Sequence, residues 1–207
     1  MKVLLLNGSP HEQGCTFTAL SEVKGALERN GVETELLWLG DGEVVGCRGC
    51  GACGRLGKCV YDDVVNRAAE KARECDGLVV GSPVHYAAAS GQVTCVLDRL
   101  FYSAGKDLRF KPAAAVVSAR RAGTTAAIDQ LHKYFTINQM PVVSSRYWPM
   151  VHGTTPDEVR RDEEGLAVMR TLGNNMAWLL KSIEAGRAAG VELPEPEPPA
   201  RTNFIRP

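Results

Sequence analysis

The stretch that decides the fold lies at the start of the chain, where residues 2–16 read K-V-L-L-L-N-G-S-P-H-E-Q-G-C-T. Residues 2–6 are a continuous apolar run, which is typical of a strand buried on both faces in a parallel sheet. Residues 7–16 are rich in glycine and hydroxyl side chains and lead into a helix predicted over residues 16–30. We therefore predict a buried strand, a polar loop and a helix, which is the repeating unit of an α/β protein.

The same alternation continues along the rest of the chain. Apolar segments predict four more strands, at residues 32–39, 77–81, 112–118 and 141–144. Amphipathic segments predict helices over residues 62 or 63 to 74, 92–102 and 124–134, and a long helix from residue 156 or 163 to 189. Five buried strands that alternate with helices predict one α/β domain built on a doubly wound parallel sheet.

Length and composition bound the class of protein. The 207 residues suffice for one domain with a full hydrophobic core, which we predict over residues 1–189. From residue 190 the sequence is rich in proline, so an extended tail is predicted over residues 190–207. Acidic and basic side chains balance at 24 each, so no net charge attracts nucleic acid or an anionic membrane.

The cysteines and the apolar runs also indicate a compartment. No apolar run reaches membrane-spanning length, and the run at residues 3–6 is too short for the core of a signal peptide. Seven cysteines, of which four lie in one loop, fit a reducing compartment better than a secreted disulfide scaffold. We expect a cytoplasmic protein with neither a nucleic-acid nor a membrane partner.

A cysteine-rich loop follows the second predicted strand, at residues 46–60. Its four cysteines have the spacing C-x2-C-x2-C-x5-C and are Cys47, Cys50, Cys53 and Cys59. The intervening glycines disfavour a helix or strand but let the backbone fold tightly around a small object. Overlapping C-x2-C steps direct several thiolates inward, as in iron–sulfur sites. Arg48, Arg55 and Lys58 can offset the negative charge of the thiolates.

Other interpretations of this loop stay open. A structural zinc site also uses four cysteines, but typically as two separated C-x2-C knuckles, and this loop is too short to hold both. A dithiol–disulfide pair needs only two of the four, and all four can be free thiols. In a further alternative, the protein is a sensor module. Its loop binds a metal and so orders a surface for a partner, and the proline-rich tail is the segment that the partner recognises. Cys75 and Cys95 fit packing positions.

Three loops are predicted to meet where the parallel strands end. In a doubly wound sheet the ligand lies outside the carboxyl ends of the strands. The loop after the first strand places hydroxyl groups before a helix N-terminus, which binds phosphate well, and its candidates are Ser9, Gln13, Cys15 and Thr16. Neither G-x-x-x-x-G-K-[ST] nor G-x-G-x-x-G occurs, so a single phosphate such as that of FMN fits best.

The loops after the third and fourth strands add candidates for binding a ring system. Residues 82–86 bring His85 and Tyr86 beside backbone amides, where a flat, partly apolar ring can lie. A stiff proline turn whose tyrosine caps the core would have the same sequence. Arg120 and Arg121 can bind the electron-rich edge of a flavin or an anionic substrate, although exposed arginines are more often only solvated.

These motifs resemble a known family. The run G-S-P-x-x-x-G-x-T, the segment G-S-P-V-H-Y-A-A-A-S-G-Q followed by L-D-R-L-F, and the cysteine loop are similar to the iron–sulfur flavoprotein branch of the NADPH-dependent FMN reductase-like, flavodoxin-fold family. The likeness covers residues 1–185. It implies a flavodoxin-like five-stranded sheet of order 2-1-3-4-5, with the cysteine loop inserted after the second strand.

The resemblance also implies cofactors, ligands and assembly. It implies FMN and a 4Fe–4S cluster, with Cys47, Cys50, Cys53 and Cys59 as the cluster ligands. Together with the loops it points to these FMN-binding residues: Ser9, His11, Gln13, Cys15, Thr16, Pro83, Val84, His85, Tyr86, Ser118, Arg120, Arg121 and Gly123. Relatives with the cluster assemble so that it approaches a neighbour's flavin, so a homodimer or homotetramer is implied.

The function expected from these features is electron transfer or reduction through FMN, coupled to the cluster. NAD(P)H or a ferredoxin-like protein is the expected electron donor. We hypothesise that His85 or Tyr86 donates a proton to a reduced quinone, nitro or azo acceptor. The alternative within this class is an NAD(P)H-dependent FMN, quinone, nitro or azo reductase without a cluster, whose cysteines are redox thiols or have no redox role.

Overall fold

The computed structural model of the chain describes residues 1–198, 200, 202 and 204. Its strands are β1 (Lys2–Asn7), β2 (Glu33–Trp38), β3 (Gly77–His85), β4 (Ala88–Ala89), β5 (Ala113–Ala119) and β6 (Met150–His152). Its helices are α1 (Cys15–Arg29), α2 (Cys53–Leu56), α3 (Val64–Glu74), α4 (Gly91–Ala104), α5 (Thr124–Ile137), α6 (Pro156–Arg161) and α7 (Glu163–Ala188), and a 3₁₀ turn spans Gly105–Leu108.

The strands form one sheet in which five strands are parallel and follow the order β2-β1-β3-β5-β6. The predicted order 2-1-3-4-5 describes these five strands once the two-residue β4, which pairs antiparallel with β3, is left out. Residues 3–6 of β1 are fully buried, as expected for a central strand covered on both faces. The predicted α/β flavodoxin-like class is confirmed.

The predicted position of the last strand, residues 141–144, is wrong. That segment makes only an isolated bridge, Val142 opposite Ala113 at the start of β5. The paired strand is β6, which lies beside Val117, Ser118 and Ala119 at the carboxyl end of β5. The intervening run S-S-R-Y-W contains polar and charged side chains that cannot be buried against the sheet, so the chain leaves the sheet and rejoins it.

Helices cover both faces of the sheet. One hydrophobic cluster packs α3, α4 and α5 against the sheet, and a second packs α1, α6 and α7 against the opposite face. The long helix predicted from residue 156 or 163 is α7, which begins at the second of these positions, and α6 is a separate short helix that ends just before Asp162. Thr155 caps α6, and the carboxylate of Asp162 accepts a hydrogen bond from the backbone N–H of Gly165 in α7.

The segment between β2 and α3 contains the cysteine loop. Glycine was expected to prevent regular structure there, but one helical turn, α2, forms and ends at Gly57, whose φ is +67°. Asp63 caps α3, in agreement with the helix start predicted at residue 62 or 63, because its Oδ1 accepts a hydrogen bond from the N–H of Val65 at 3.0 Å. The loop therefore contains one short helical turn and leads into a firmly capped helix.

The end of the chain was predicted to be an extended tail. Residues 191–198 have no regular secondary structure and are exposed. For residues 199, 201, 203 and 205–207 the prediction lies outside the described residues. Within the part of the chain that the structure describes, no helix combines the length and the apolar character that crossing a membrane requires.

Candidate functional site

The loop between β1 and α1 is ordered by its own side chains. Oδ1 of Asn7 accepts a hydrogen bond from the N–H of Ser9 at 3.2 Å, and Nδ2 of Asn7 donates to the carbonyl of Glu12 at 2.8 Å. Oγ of Ser9 accepts from the N–H of His11 at 3.1 Å. Gly14, the N-cap of α1, supplies no side-chain cap, so the first N–H groups of the helix stay available to an anion.

The structure brings two predicted residues from different loops together. Oγ1 of Thr16 and Oγ of Ser118 lie 2.9 Å apart, and both side chains are buried. Thr16 is in the first turn of α1, whereas Ser118 is near the end of β5. This hydrogen bond joins the predicted phosphate loop to the predicted ring-binding edge across the middle of the sheet.

The segment after the third predicted strand is a hairpin rather than a loop that starts at residue 82. Strand β3 continues through Pro83 and Val84 to His85, and β4 turns back beside it. Tyr86 and Ala87 form the two-residue turn with φ values of +49° and +61°. Hairpins with positive φ at both central residues prefer Asn-Gly, and each residue with a Cβ costs roughly 1 kcal/mol there. His85 and Tyr86 are both exposed.

The turn after β5 packs against this hairpin. Gly123 has a φ of +91°, and a Cβ on it would lie 2.6 Å from Cα of Ala87 and 3.1 Å from Cγ1 of Val84. Only glycine permits so close an approach of the two loops. Arg120 and Arg121 are exposed in the same turn. The two predicted ring-binding loops are therefore in direct contact. The sequence predicted only that they meet where the parallel strands end.

The remaining predicted residues of the first loop are His11, Gln13 and Cys15. His11 and Gln13 are exposed. Sγ of Cys15 lies 3.7 Å from the carbonyl oxygen of Gly153, just after β6, and burial raises the pKa of this thiol. Cys15 therefore links α1 to the end of β6 as a neutral thiol.

All four cysteines of the loop line one cavity of about 410 Å³. Cys47 and Cys50 are exposed, whereas Cys53 and Cys59 are half-buried. Three glycines with positive φ bend the backbone around the cavity: Gly49 (+63°), Gly51 (+69°) and Gly57 (+67°). These angles agree with the expectation that glycine lets the backbone fold tightly around a small object.

The thiols of the loop can be compared with the ligand sets of two kinds of metal centre. Among the described residues, no three histidine, cysteine or carboxylate side chains converge closely enough to hold one metal ion. A single tetrahedral zinc ion with Zn–S bonds of about 2.3 Å would hold its sulfur atoms roughly 3.8 Å apart. A 4Fe–4S cluster ties each thiolate to a different iron, so its ligands stand farther apart around a larger centre. Four cysteine thiols on one cavity match the number and type of ligand that a 4Fe–4S cluster takes.

A buried arginine lies beneath the cysteine loop and was not singled out from the sequence. Arg99, in α4, is 2% exposed. Its Nε donates to Sγ of Cys59 at 3.2 Å, and its two terminal nitrogens bind the two carboxylate oxygens of Asp63 at 2.7 and 2.9 Å. Burial acts to lower the pKa of the guanidinium, but the hydrogen bonds to Asp63 and Cys59 outweigh it and raise that pKa.

A buried asparagine clamps the same cysteine. Oδ1 of Asn66 accepts from the N–H of Cys59 at 3.0 Å, and Nδ2 donates to the carbonyls of Cys59 and Tyr61 at 3.1 and 3.0 Å. Asn66 left no signal in the sequence. For Arg99 a signal existed, because it lies three residues after Val96 in the predicted apolar stripe of its helix.

The cysteine cavity can be located relative to α4. The segment that leads from β2 into the cysteine loop passes the start of α4, where Nε2 of Gln92 donates to the carbonyl of Gly40 at 2.8 Å. The cavity is lined by Arg99, eight residues beyond Gly91 at the start of α4, which is about 12 Å along the helix at 1.5 Å per residue. The cavity therefore lies along α4, about two helical turns from the start of that helix.

Comparison with solved structures defines the class of fold. The chain is similar to RosB with a bound 8-demethyl-8-formylriboflavin-5′-phosphate intermediate, with a TM-score of 0.70, 18% identity and coverage of 100% of this chain and 93% of RosB. It is also similar to a flavodoxin from the domain Archaea, with a TM-score of 0.60, 14% identity and coverage of 87% and 99%. These likenesses show a flavodoxin-like fold.

Sequence comparison then identifies the family. The family model of the NADPH-dependent FMN reductases matches residues 1–155. An iron–sulfur flavoprotein of Methanocaldococcus jannaschii is 35% identical over 193 residues, covering 89% of this chain and 100% of the relative. One of Methanosarcina thermophila is 28% identical over 192 residues, covering 90% and 99%. The chain belongs to the NADPH-dependent FMN reductase family, in its iron–sulfur flavoprotein branch, and is by class an FMN-binding oxidoreductase.

Proposed function

We propose that this protein binds FMN and a 4Fe–4S cluster and passes electrons between a two-electron donor and a one-electron partner. When bound, FMN accepts an electron pair and a 4Fe–4S cluster carries single electrons. The observation that carries the proposal is the cavity lined by four cysteines, with a buried guanidinium donating to one of their sulfur atoms. The flavin part rests on the family.

The first loop and the buried hydroxyl pair support a site for the phosphate of FMN. The uncapped N-terminus of α1 presents N–H donors to an anion. Ser9 orders the loop, and Thr16 with Ser118 fastens it to β5. The strained hairpin at Tyr86 and the turn at Gly123 would hold the ring system, because backbone strain concentrates where loops bind ligands.

The exposure of the cysteine cavity supports a symmetric assembly. Electrons pass most readily when the cofactors are close, and Cys47 and Cys50 of the cavity are exposed, where a neighbouring subunit can approach. We propose a homodimer or homotetramer in which the cluster of one subunit faces the flavin of the next. NAD(P)H is the proposed electron donor, with a ferredoxin-like protein as the alternative donor or the one-electron partner. We expect no nucleic-acid or membrane partner.

The test is the composition and visible spectrum of protein purified without oxygen. Iron, acid-labile sulfide and FMN are measured on the same sample, together with the mass in solution by light scattering. We expect broad absorbance at roughly 400 nm over the flavin bands and about four irons per chain. A Cys50→Ser variant, which removes an exposed thiol, should lose most of the iron and keep its FMN.

The outcomes separate the proposal from its alternatives. A flavin spectrum without iron, even after reconstitution, would leave an NAD(P)H-dependent reductase of FMN, quinones, nitro or azo compounds. A colourless protein that contains zinc would instead favour a metal-ordered sensor module. Bound FMN that NAD(P)H fails to reduce, while a reduced ferredoxin succeeds, would assign the donor.

A further inference from the structure

We propose that Arg99 is a positioning residue that sets the reduction potential of the cluster through its hydrogen bond to Cys59. This inference rests on the proposed cluster. Every N–H of the guanidinium is used: Nε donates to Sγ of Cys59, and the terminal nitrogens donate to Asp63 and to the carbonyls of Val45 and Tyr61 at 3.1 and 3.3 Å. The side chain therefore has one firmly held geometry.

The surroundings hold the guanidinium against the cysteine rather than in solvent. The ring of Tyr61 lies 5.0 Å from Cζ of Arg99, close enough for a cation–π contact. The side chain of Arg99 is 1% exposed, whereas that of its partner Asp63 is 29% exposed. Water screens the carboxylate more than the guanidinium, so the field at the sulfur of Cys59 is dominated by the nearer positive charge.

This field favours added negative charge at the thiolate ligands. One-electron reduction adds one negative charge to the centre and requires no proton. A buried cation that donates to a ligand sulfur stabilises the reduced state more than the oxidised state, and hydrogen bonds to the sulfurs are among the determinants of cluster potential. Arg99 therefore raises the potential, which makes the cluster a better acceptor of electrons from the flavin.

The chain offers a matched control in Arg73 of α3. Nη2 of Arg73 donates to the carbonyl of Gly57 in the cysteine loop at 2.7 Å, and its Nε pairs with Asp107 at 2.8 Å. Arg73 thus holds the same loop and carries the same charge, but its hydrogen bonds go to oxygen atoms and none goes to a cysteine sulfur. A role limited to holding the loop would be shared by both arginines, although Arg73 is more exposed, at 29% of its side chain.

The experiment is a redox titration of anaerobically purified holoprotein, with dithionite as reductant and electron paramagnetic resonance of the reduced cluster as readout. Arg99→Met should lower the equilibrium constant for one-electron reduction at least tenfold, which is 59 mV for one electron. Arg99→Lys keeps the charge but cannot form the paired hydrogen bonds to Asp63. Its cluster potential should therefore lie between those of wild type and Arg99→Met. The cluster potential of Arg73→Met should equal that of wild type. The flavin potential should be unchanged in all variants.

Asp63→Asn provides a second, independent variant. It removes the negative charge, keeps a residue that caps α3 well, and should raise the cluster potential. If Arg99→Met fails to retain its cluster, the direction in which Asp63→Asn changes the cluster potential tests the proposal. A rise supports it and a fall contradicts it. Equal shifts in Arg99→Met and Arg73→Met, or a wild-type potential in both Arg99→Met and Asp63→Asn, would overturn the role of Arg99 while leaving the proposed function intact. Wild-type protein without iron would overturn both.

Discussion

At the scale of single residues, the buried hydroxyl pair joins two halves of the predicted flavin site. Thr16 and Ser118 lie 102 positions apart in the chain, yet their oxygens are 2.9 Å apart. Because each is the other's hydrogen-bond partner in a buried place, removing one leaves a polar group without compensation. The affinity for the phosphate of FMN should therefore depend on both.

We predict that Thr16→Val weakens FMN binding about tenfold, since an unsatisfied buried hydroxyl costs about 1–3 kcal/mol. Thr18→Val is the matched control: Thr18 is also a buried threonine of α1, and its hydroxyl donates to the carbonyl of Gly14 at 3.2 Å. Titration of the apoprotein with FMN, followed by flavin fluorescence, measures both. An equal loss in the two variants would contradict the role given to Thr16.

A second prediction concerns proton donation by His85 at the end of β3, where its side chain is exposed. His85→Phe should slow turnover with a quinone by about 100-fold, a typical contribution of general acid catalysis. Turnover with ferricyanide, which accepts an electron and no proton, should not change. Tyr86→Phe removes only a hydroxyl and separates the two candidate donors. Unchanged turnover with every acceptor would remove His85 from this role.

At the scale of elements, the β3–β4 hairpin and the turn after β5 form one unit. Positive φ at Tyr86 and Ala87 and the close approach of Gly123 are features that the pattern of apolar residues does not reveal. Strain of this kind persists only where neighbouring structure enforces it. Here the enforcing neighbours are two loops from adjacent strands of the sheet, β3 and β5.

We predict that Gly123→Ala lowers the free energy of unfolding by about 2 kcal/mol or more and weakens FMN binding. The added Cβ meets backbone at 2.6 Å, and a φ of +91° is unfavourable for alanine. Gly42→Ala is the control, because a Cβ there meets nothing within 4 Å. Urea unfolding followed by circular dichroism measures both. Equal stability of the two variants would show that the hairpin yields to the added atom.

At the scale of the whole molecule, one carboxylate ties three elements together. Glu35 of β2 forms ion pairs with Lys2 of β1 and Lys71 of α3. The hydrogen bonds from Lys2 and then Lys71 lower the pKa of Glu35 in the folded state. A carboxyl with a lowered folded pKa contributes stability above its unfolded pKa of about 4.3, and that contribution is lost as the pH falls through the folded pKa.

We therefore predict that Glu35→Gln destabilises the protein at pH 7 by up to about 1 kcal/mol, since the side chains are partly solvated. The difference from wild type should shrink at pH 4 and vanish below the folded pKa. Glu33→Gln, on the same strand, is the control because Glu33 is exposed and forms no ion pair with the described residues. Urea unfolding at both pH values measures the effect. A loss that does not depend on pH would point to packing instead.

Much of the fold followed from local patterns. The apolar runs located β1, β2, β3 and β5, and the helix starts at Asp63 and Thr124 were predicted correctly. The last strand was misplaced, because the apolar run at residues 141–143 and β6 both lie beside β5, and only pairing at its carboxyl end distinguishes them. A strand of three residues is too short to have a periodic signal of its own.

The sequence by itself determined the class of fold and named the candidates for a phosphate loop and for four thiol ligands. These features are local, since they depend on apolar runs, turn residues and the spacing of cysteines within 13 residues. Only the tertiary structure decided that Arg99 meets Cys59, that Thr16 meets Ser118, and that the cysteine cavity lies along α4. Such contacts join residues 40 to 102 positions apart, and packing of helices on the sheet alone brings them together.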